Sequence, residues 1–341
     1  MRKYKITDKP ASTCQGSDLV GREGLLDAKR RIEANHLGWD ILKRSHNTYE
    51  LVSHPNVVSV KDTRPVSRSF FKMWEMIQEF PQLKPCLGGR VAAVAEGPGG
   101  FVQAMLAAGS HDVHAITLVN RKAPVMRVTD RRVRVHTVDG SGDICRKHVA
   151  KEFVQAVGQV SLFTADGGFD VRGRYDRQEE VSLNLIQAEI GMGLACLAVG
   201  GCMVVKVYDM FREDTRNAVA VLCECFQSVF VYKPCTSRPA NSERYLVCLE
   251  RVASPTRTRV LGTVLHGDAF PTAARDALFD ASIAAICERM ALEQLAHINT
   301  AFDDPMLDID LVQSRQAKLW CDMYGDRICH FAPIEIIAVP L

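Results

Sequence analysis

From residue 90 onward, apolar positions fall into short runs separated by turns and helical stretches. Arg90-Val-Ala-Ala-Val-Ala95 reads as a strand, Glu96-Gly-Pro-Gly-Gly-Phe101 as a turn, and Val102 to Ala108 as a helix. His114 to Val119 and Arg132 to Thr137 read as the next two strands. The apolar run Val160-Ser-Leu-Phe-Thr-Ala165 follows, then a long helical pattern from Glu179 to Val199, and a strand from Cys202 to Tyr208. Glu213 to Phe226 is helical again, and Ser228 to Tyr232 and Tyr245 to Leu249 close the series. Strands alternating with helices predict an α/β fold with a doubly wound, mostly parallel sheet.

The flanks are patterned differently. Asp27 to Leu37 has helical spacing, and Ser67-Arg-Ser-Phe-Phe-Lys-Met-Trp-Glu-Met-Ile77 is amphipathic, with Ser67 placed to cap it and Lys72 near its middle. Ala273 to His297 and Leu311 to Tyr324 are long helical candidates without a motif. The chain therefore divides into an N-terminal extension (1–60), a sheet domain (61–255) and a helical C-terminal extension (256–341).

Composition narrows this reading modestly. The 341 residues are 47% hydrophobic and 24% charged, which suits a soluble globular protein. A formal charge of +2 is too small to imply a polyanionic partner by itself. Basic residues do cluster between the second and third strands, where Arg121, Lys122, Arg127, Arg131, Arg132 and Arg134 face one acid, Asp130. That run is either a solvated face or a phosphate contact. The twelve cysteines contain no Cys-x-x-Cys pair and read as buried thiols of a reducing compartment, with no metal-ligand cluster. No stretch approaches the roughly 20 apolar residues needed to cross a bilayer, so a soluble intracellular protein without a membrane partner is expected.

Candidate chemistry sits at strand ends. Asp166 follows the run 160–165 and precedes two glycines, where open α/β sheets place their ligands. The glycine turn 96–101 lets a ligand approach the backbone and opens a helix whose first N–H groups are unpaired, although it is equally readable as an ordinary loop. Lys206 lies inside an apolar strand, a costly position unless its head reaches a cleft, a partner or solvent. From its own segment, Lys72 is readable as a solvated lysine.

In order and setting, Lys72, Asp166, Lys206 and Glu243 resemble the Lys-Asp-Lys-Glu tetrad of the FtsJ-like RNA 2′-O-ribose methyltransferases. Ala165-Asp-Gly-Gly-Phe169, Lys206-Val-Tyr-Asp209 and Lys233-Pro-Cys-Thr-Ser-Arg-Pro-Ala-Asn-Ser-Glu-Arg-Tyr245 are similar to stretches of the eukaryotic and viral mRNA cap 2′-O-methyltransferases. The resemblance covers about residues 64 to 252 and implies a Rossmann-like S-adenosylmethionine-dependent methyltransferase fold. It implies that Ser67, the turn Ala95, Glu96, Gly97, Pro98, Gly99, Gly100 and Phe101, and Asp143, Ile144 and Asp166 hold S-adenosyl-L-methionine. It implies RNA contacts at Arg64, Arg68, Asp176, Arg177, Gln178 and Asn241.

On that resemblance the substrate is capped RNA, methylated on the first transcribed nucleotide, with other capping or transcription proteins as further partners. The location is nuclear or cytoplasmic, including that of a viral protein in its host cell. The second cap nucleotide, ribosomal RNA, and a non-catalytic RNA-binding subunit are the alternatives. Thr117-Leu-Val-Asn120 departs from the family pattern, lacking the ribose-binding acid many methyltransferases carry there. A ribose 2′-hydroxyl must lose its proton as it attacks a methyl group. Lys206 is expected to take that proton, with burial and Lys72 lowering its pKa while Asp166 and Glu243 oppose the shift. Stabilising the oxyanion is a second role open to Lys72 or Lys206.

Overall fold

The computed structural model describes residues 2–6, 18–54, 57–61, 63–121, 123–169, 171–304, 309–325 and 327–328. Strand β1 (Arg2–Lys5) is followed by helices α1 (Asp18–Ala34) and α2 (His36–Ser45), the short strand β2 (Val58–Ser59), and helices α3 (Ser69–Glu79) and α4 (Leu83–Cys86). The sheet domain then runs β3 (Val91–Val94), α5 (Gly100–Ala107), β4 (Val113–Ile116), β5 (Val133–His136), α6 (Lys147–Val157), β6 (Val160–Ala165) and α7 (Gln178–Cys196). It continues through β7 (Leu197–Val207), α8 (Glu213–Cys225), β8 (Phe226–Lys233) and β9 (Arg244–Arg251). Helices α9 (Pro255–Leu265), α10 (Ala277–Asp303) and α11 (Ile309–Tyr324) follow, and β10 (Arg327–Ile328) pairs with β2.

Among the described residues, the main sheet has eight strands in the order β1-β8-β9-β7-β6-β3-β4-β5. Strands β5, β4, β3, β6 and β7 are parallel, while β9, β8 and β1 continue the sheet antiparallel. After β3 the chain builds outward to β5 and returns to place β6 against the other side of β3. The strand order therefore reverses between β3 and β6, and a crevice opens beyond their carboxyl ends. The turn 95–100 leaves β3 there, and Asp166 leaves β6.

Helices cover both faces, which is why β3, Val-Ala-Ala-Val, is buried throughout. One core joins α6 to α10 with one face, and the other joins α3, α4, α5 and α11 with the opposite face. Helix α6 shows the pattern: Val149, Ala150, Phe153, Val154 and Val157 recur at helical spacing and are buried. Asp276 caps α10 by accepting from the Phe279 N–H at 2.8 Å, and Ser254 caps α9 ahead of Pro255.

The flanks depart from expectation in several ways. The helix expected over 27–37 is two helices, α1 and α2, broken at Asn35. Strand β1 joins the sheet edge, and α9 was not foreseen at all. Ser67 does not cap α3: Arg68 occupies the cap position without a side-chain bond, and the Ser67 hydroxyl lies 2.6 Å from that of Ser69. Cys14 and Cys329 fall outside the described residues, and the ten described cysteines are free thiols.

The two extensions pack on each other. A third core joins Leu25, Ala28, Ile32 and Trp39 of α1 and α2 to Ala291, Ile298 and Ala301 of α10. Trp39 stacks on Phe302 at 5.3 Å between ring centroids, and the Gly21 N–H donates to Glu288 at 3.1 Å. On the other side, α11 locks onto α3. Trp74 Nε1 donates to the Tyr324 carbonyl at 2.6 Å, and Trp320 Nε1 donates to the buried Glu75 carboxylate at 3.2 Å.

Candidate active site

Four elements deliver four charged side chains to the crevice. Lys72 comes from α3, Asp166 from the end of β6, Lys206 from β7, and Glu243 from the approach to β9. Lys72 Nζ lies 2.6 Å from Glu243, and Lys206 Nζ lies 3.2 Å from Asp166 Oδ1 while donating to the Asp166 carbonyl at 2.7 Å. The four predicted residues therefore form two ion pairs. All four side chains are 10–15% exposed, so each pair is desolvated yet still reachable.

Several residues that the sequence did not single out complete this cluster. Tyr245, paired with Lys206 across β7 and β9, donates from its hydroxyl to Asp166 Oδ1 at 2.8 Å. Ser237 donates to Glu243 at 2.9 Å, and Lys233 Nζ donates to the Asn241 and Glu243 carbonyls at 2.8 and 2.9 Å. Glu189, in the middle of α7, is fully buried, and neither of its carboxylate oxygens has a partner among the described residues. Its only sequence signal was an acid among the apolar positions of a long helix. Both glycines after Asp166 are needed for close approach. A Cβ at Gly167 would collide with Glu189, and one at Gly168 would sit 2.6 Å from the Tyr208 hydroxyl and 3.1 Å from Lys206 Nζ.

Charge states follow from these neighbours. Burial pulls the Lys206 ammonium down, but Asp166, with Tyr208 and Glu243 behind it, more than reverses this and holds it above the ordinary lysine value. The balance between burial and the carboxylates, which the sequence leaves open, falls to the charged form, because Asp166 acts at hydrogen-bond distance and favours it. Burial also pushes Glu243 up, yet Lys72 and Lys206 keep it well below the usual carboxylate range. Glu189 is pushed up to about 8, by burial first. Glu96 is raised well above its ordinary value by burial and then by Asp166.

The glycine turn has the form of a ligand cradle. Gly99 adopts φ +105°, a conformation that glycine reaches without strain, and directly precedes α5. A Cβ at Gly100 would strike both the Ser67 and Ser69 hydroxyls, so Ser67 lies against the turn. Glu96 is 2% exposed and its Oε1 has no partner among the described residues. Open backbone, serine hydroxyls and an orphaned carboxylate oxygen suit an amino-acid-bearing cofactor such as S-adenosylmethionine. Thr117, at the position lacking the expected acid, accepts from the Gly97 N–H at 3.0 Å and braces the turn. The segment Pro124 to Val128 lies against it, with the Arg127 N–H donating to the Pro98 carbonyl at 2.9 Å.

Other expected site residues are placed less favourably. Phe101 is a fully buried core side chain 5.6 Å from the Tyr245 ring, so only its backbone faces the turn. Asp143 accepts from the Cys145 N–H at 3.1 Å, closing its own turn, while Ile144 is buried beside it. Arg68 lies 3.4 Å from Glu50 and donates to the Thr236 carbonyl at 3.0 Å. Arg177, beside Asp176, pairs with Glu180 at 2.9 Å on the surface. Arg64 is exposed, and its carbonyl accepts from Gln103. Gln178 and Asn241 line a cavity that reaches Glu243. In the basic run Arg132 pairs with Asp130 at 2.7 Å, and Arg121, Arg127, Arg131 and Arg134 are exposed. Lys122 lies outside the described residues.

This fold, a sheet reversing at a glycine cradle with two Lys–carboxylate pairs beside it, is that of a Rossmann-like methyltransferase. The family model described as FtsJ-like methyltransferase matches residues 65–251, and the chain belongs to that family. Its members are S-adenosylmethionine-dependent in general. A cap-specific mRNA (nucleoside-2′-O-)-methyltransferase of Autographa californica nuclear polyhedrosis virus is 36% identical over 165 residues, 47% of this chain and 63% of that protein. Cap-specific mRNA (nucleoside-2′-O-)-methyltransferase 2 of Danio rerio is 38% identical over 133 residues, 36% of this chain and 18% of that protein. The human protein numbered 1 is 39% identical over 117 residues, 33% of this chain and 14% of that protein. The matched stretches thus span less than two thirds of these relatives. No helix among the described residues is long and apolar enough to cross a membrane, and no group of three or more metal-ligating side chains occurs among them.

Proposed function

We propose that this chain is an S-adenosylmethionine-dependent mRNA cap methyltransferase that modifies the ribose 2′-oxygen of the first transcribed nucleotide. The observation that carries this is the closure of Lys72–Glu243 and Lys206–Asp166 at the strand-order reversal, beside the glycine cradle. The names of the relatives support capped mRNA as the substrate class.

The cofactor supplies an electrophilic methyl group on a sulfonium sulfur. The cradle at Gly97 to Gly100, with Ser67 and Glu96, would hold its amino-acid end, and Asp143 and Ile144 its adenine. With the cofactor bound, transfer of its methyl group to the ribose oxygen would require the 2′-proton to leave that oxygen. Asp166 and Tyr245 fix the head of Lys206 where that oxygen arrives. Because Lys206 is held charged, its first contribution is an N–H aimed at the developing oxyanion. It acts as general base only after losing its own proton, which Asp166 and Glu243 oppose. Lys72 and Glu243 neutralise one another and limit the net charge of the cleft.

Methyl transfer to capped, uncapped and pre-methylated RNAs tests the reading, with the modified ribose located in the product. Transfer to the first nucleotide of capped RNA is expected. Equal transfer to uncapped RNA would overturn the cap assignment, and product at the second nucleotide would overturn the position. RNA binding without any transfer would favour the non-catalytic alternative.

A further inference from the structure

Strand β5 ends the main sheet, so one side of its backbone meets no other strand among the described residues. Beside it lies a groove of about 440 Å³, lined by the residues after β4, the segment 125–130 and β5 itself. Leu118, Val119, Val125, Met126, Val133 and Val135 make the lining largely aliphatic. Four of the twelve large apolar side chains exposed among the described residues, Leu118, Val119, Val125 and Val135, stand in this one groove at 37–71% exposure. Apolar side chains gathered in this way mark a contact surface, whereas scattered ones are ordinary.

The rim is basic. Arg121, Arg127, Arg131 and Arg134 are exposed, and the single acid of the run 121–135, Asp130, is engaged by Arg132 at 2.7 Å. Two copies of this face would repel one another, so the charge favours an acidic partner over a second copy. The pattern of β5 is more specific still. Val133 and Val135 share the face that lines the groove, and Arg134 stands between them on the other. A strand added at this edge would match it by setting aliphatic side chains beside the valines and acids beside the arginine. The groove has no Phe, Tyr or Trp on which an unpaired base could stack, so its lining suits a protein segment better than RNA.

We propose that the β5 edge and its groove form a docking site for an extended segment of another protein in which aliphatic and acidic residues alternate. The segment pairs with β5 through main-chain hydrogen bonds, fills the groove with its aliphatic side chains and meets the arginines with its carboxylates. The site stands apart from the tetrad, because β6, which ends next to Asp166, is three strands away, about 14 Å at ordinary strand spacing. Met126 and Val128 of the groove lie against Gly99, and the Arg127 N–H donates to the Pro98 carbonyl. The partner therefore sits behind the cofactor turn and leaves the tetrad open to RNA.

The test follows the fluorescence anisotropy of a labelled peptide, Asp-Val-Glu-Ile-Asp-Val-Glu, with the full chain and with its Val135→Asp and Arg131→Glu variants. The unmodified chain is expected to bind with a Kd of about 100 µM or tighter, and each variant about tenfold more weakly. A second peptide, with serine in place of each valine and isoleucine, should bind the unmodified chain about tenfold more weakly than the first. Both substituted side chains are exposed, and thermal unfolding verifies the fold. If Val135→Asp does not fold, Arg131→Glu and the serine peptide decide the outcome. No binding by the unmodified chain, equal binding of the serine peptide, or unchanged affinity in both variants overturns the docking site. Weakened binding of uncapped RNA by Arg131→Glu, with no peptide binding by the unmodified chain, overturns it in favour of an RNA-phosphate contact.

Discussion

Lys206 and Lys233 flank the same carboxylate, yet their surroundings drive them in opposite directions. Lys206 meets a carboxylate, Asp166, and is held above the ordinary lysine value although burial alone would lower it. Lys233 meets neutral carbonyls, and burial, then Arg244 with Lys72 behind it, lowers it well below. Both are lysines at the ends of apolar strands. What separates them is that Lys206, besides its bond to a carbonyl, has the Asp166 carboxylate at 3.2 Å, whereas the bonds of Lys233 to Asn241 and Glu243 go to carbonyl oxygens; one residue type is thereby held as a cation at one position and pushed toward the neutral amine at the other.

The comparison breaks most visibly by deletion. Lys206→Ala should lower methyl transfer by about 10³-fold while RNA binding is largely retained. Lys233→Met should act mainly on the loop that presents Glu243. Equal losses of kcat in both variants, with folding intact, would mean that Lys233 shares the chemistry.

The pH dependence sharpens it next. If proton release must wait on a Lys206 held above its ordinary value, transfer should climb with pH by up to about tenfold per unit, with no plateau below pH ~10. A plateau near pH 8 would show that the substrate-loaded site lowers Lys206 after all. The stabilising effect of its charge persists throughout this range, because a raised lysine loses that contribution only as pH passes its folded value.

The smallest effect concerns Glu189, a buried acid whose charged form burial opposes more than Lys206 favours it. Glu189 is raised from 4.5 to about 8, so its proton stabilises the fold fully below pH 4.5, and that contribution is lost as pH rises to about 8. Glu189→Gln removes the dependence. Between pH 5 and pH 8 the variant should gain on the order of 3 kcal/mol relative to the unmodified chain in denaturant titrations. Parallel pH profiles for the two proteins would show that Glu189 is not held neutral.

The meeting of Lys72, Asp166, Lys206 and Glu243 was an expectation from the resemblance, to which the sequence itself added the places of Asp166 and Lys206 at the ends of the apolar runs that became β6 and β7. The turn between β3 and α5 was legible from its glycines. The direction of the Lys206 shift was not, since it depends on a 3.2 Å contact between residues forty positions apart. Tyr245 was quoted in a matching string, but its bond to Asp166 depends on the β7–β9 register. The resemblance offered Arg68 as an RNA contact, while its partner Glu50, which also engages Arg238, comes from a distant turn that no local pattern connects to it. The place of α2 was hidden for the same reason: nothing local in 36–45 records that Asp40 and Lys43 line the cavity that reaches Glu243.

The third core also bears on how the chain can change over time. Leu25, Ala28 and Ile32 of one tail meet Ala291, Ile298 and Ala301 of the other in a core that also holds Ala240, the residue before Asn241. Substitutions in contact do not add independently. A larger side chain on α1 would therefore need a smaller one on α10, or it would shift the loop that carries Asn241 and Glu243. The two tails are expected to vary as a matched pair, so grafting one from a relative without the other would impair the site without altering any residue of the tetrad.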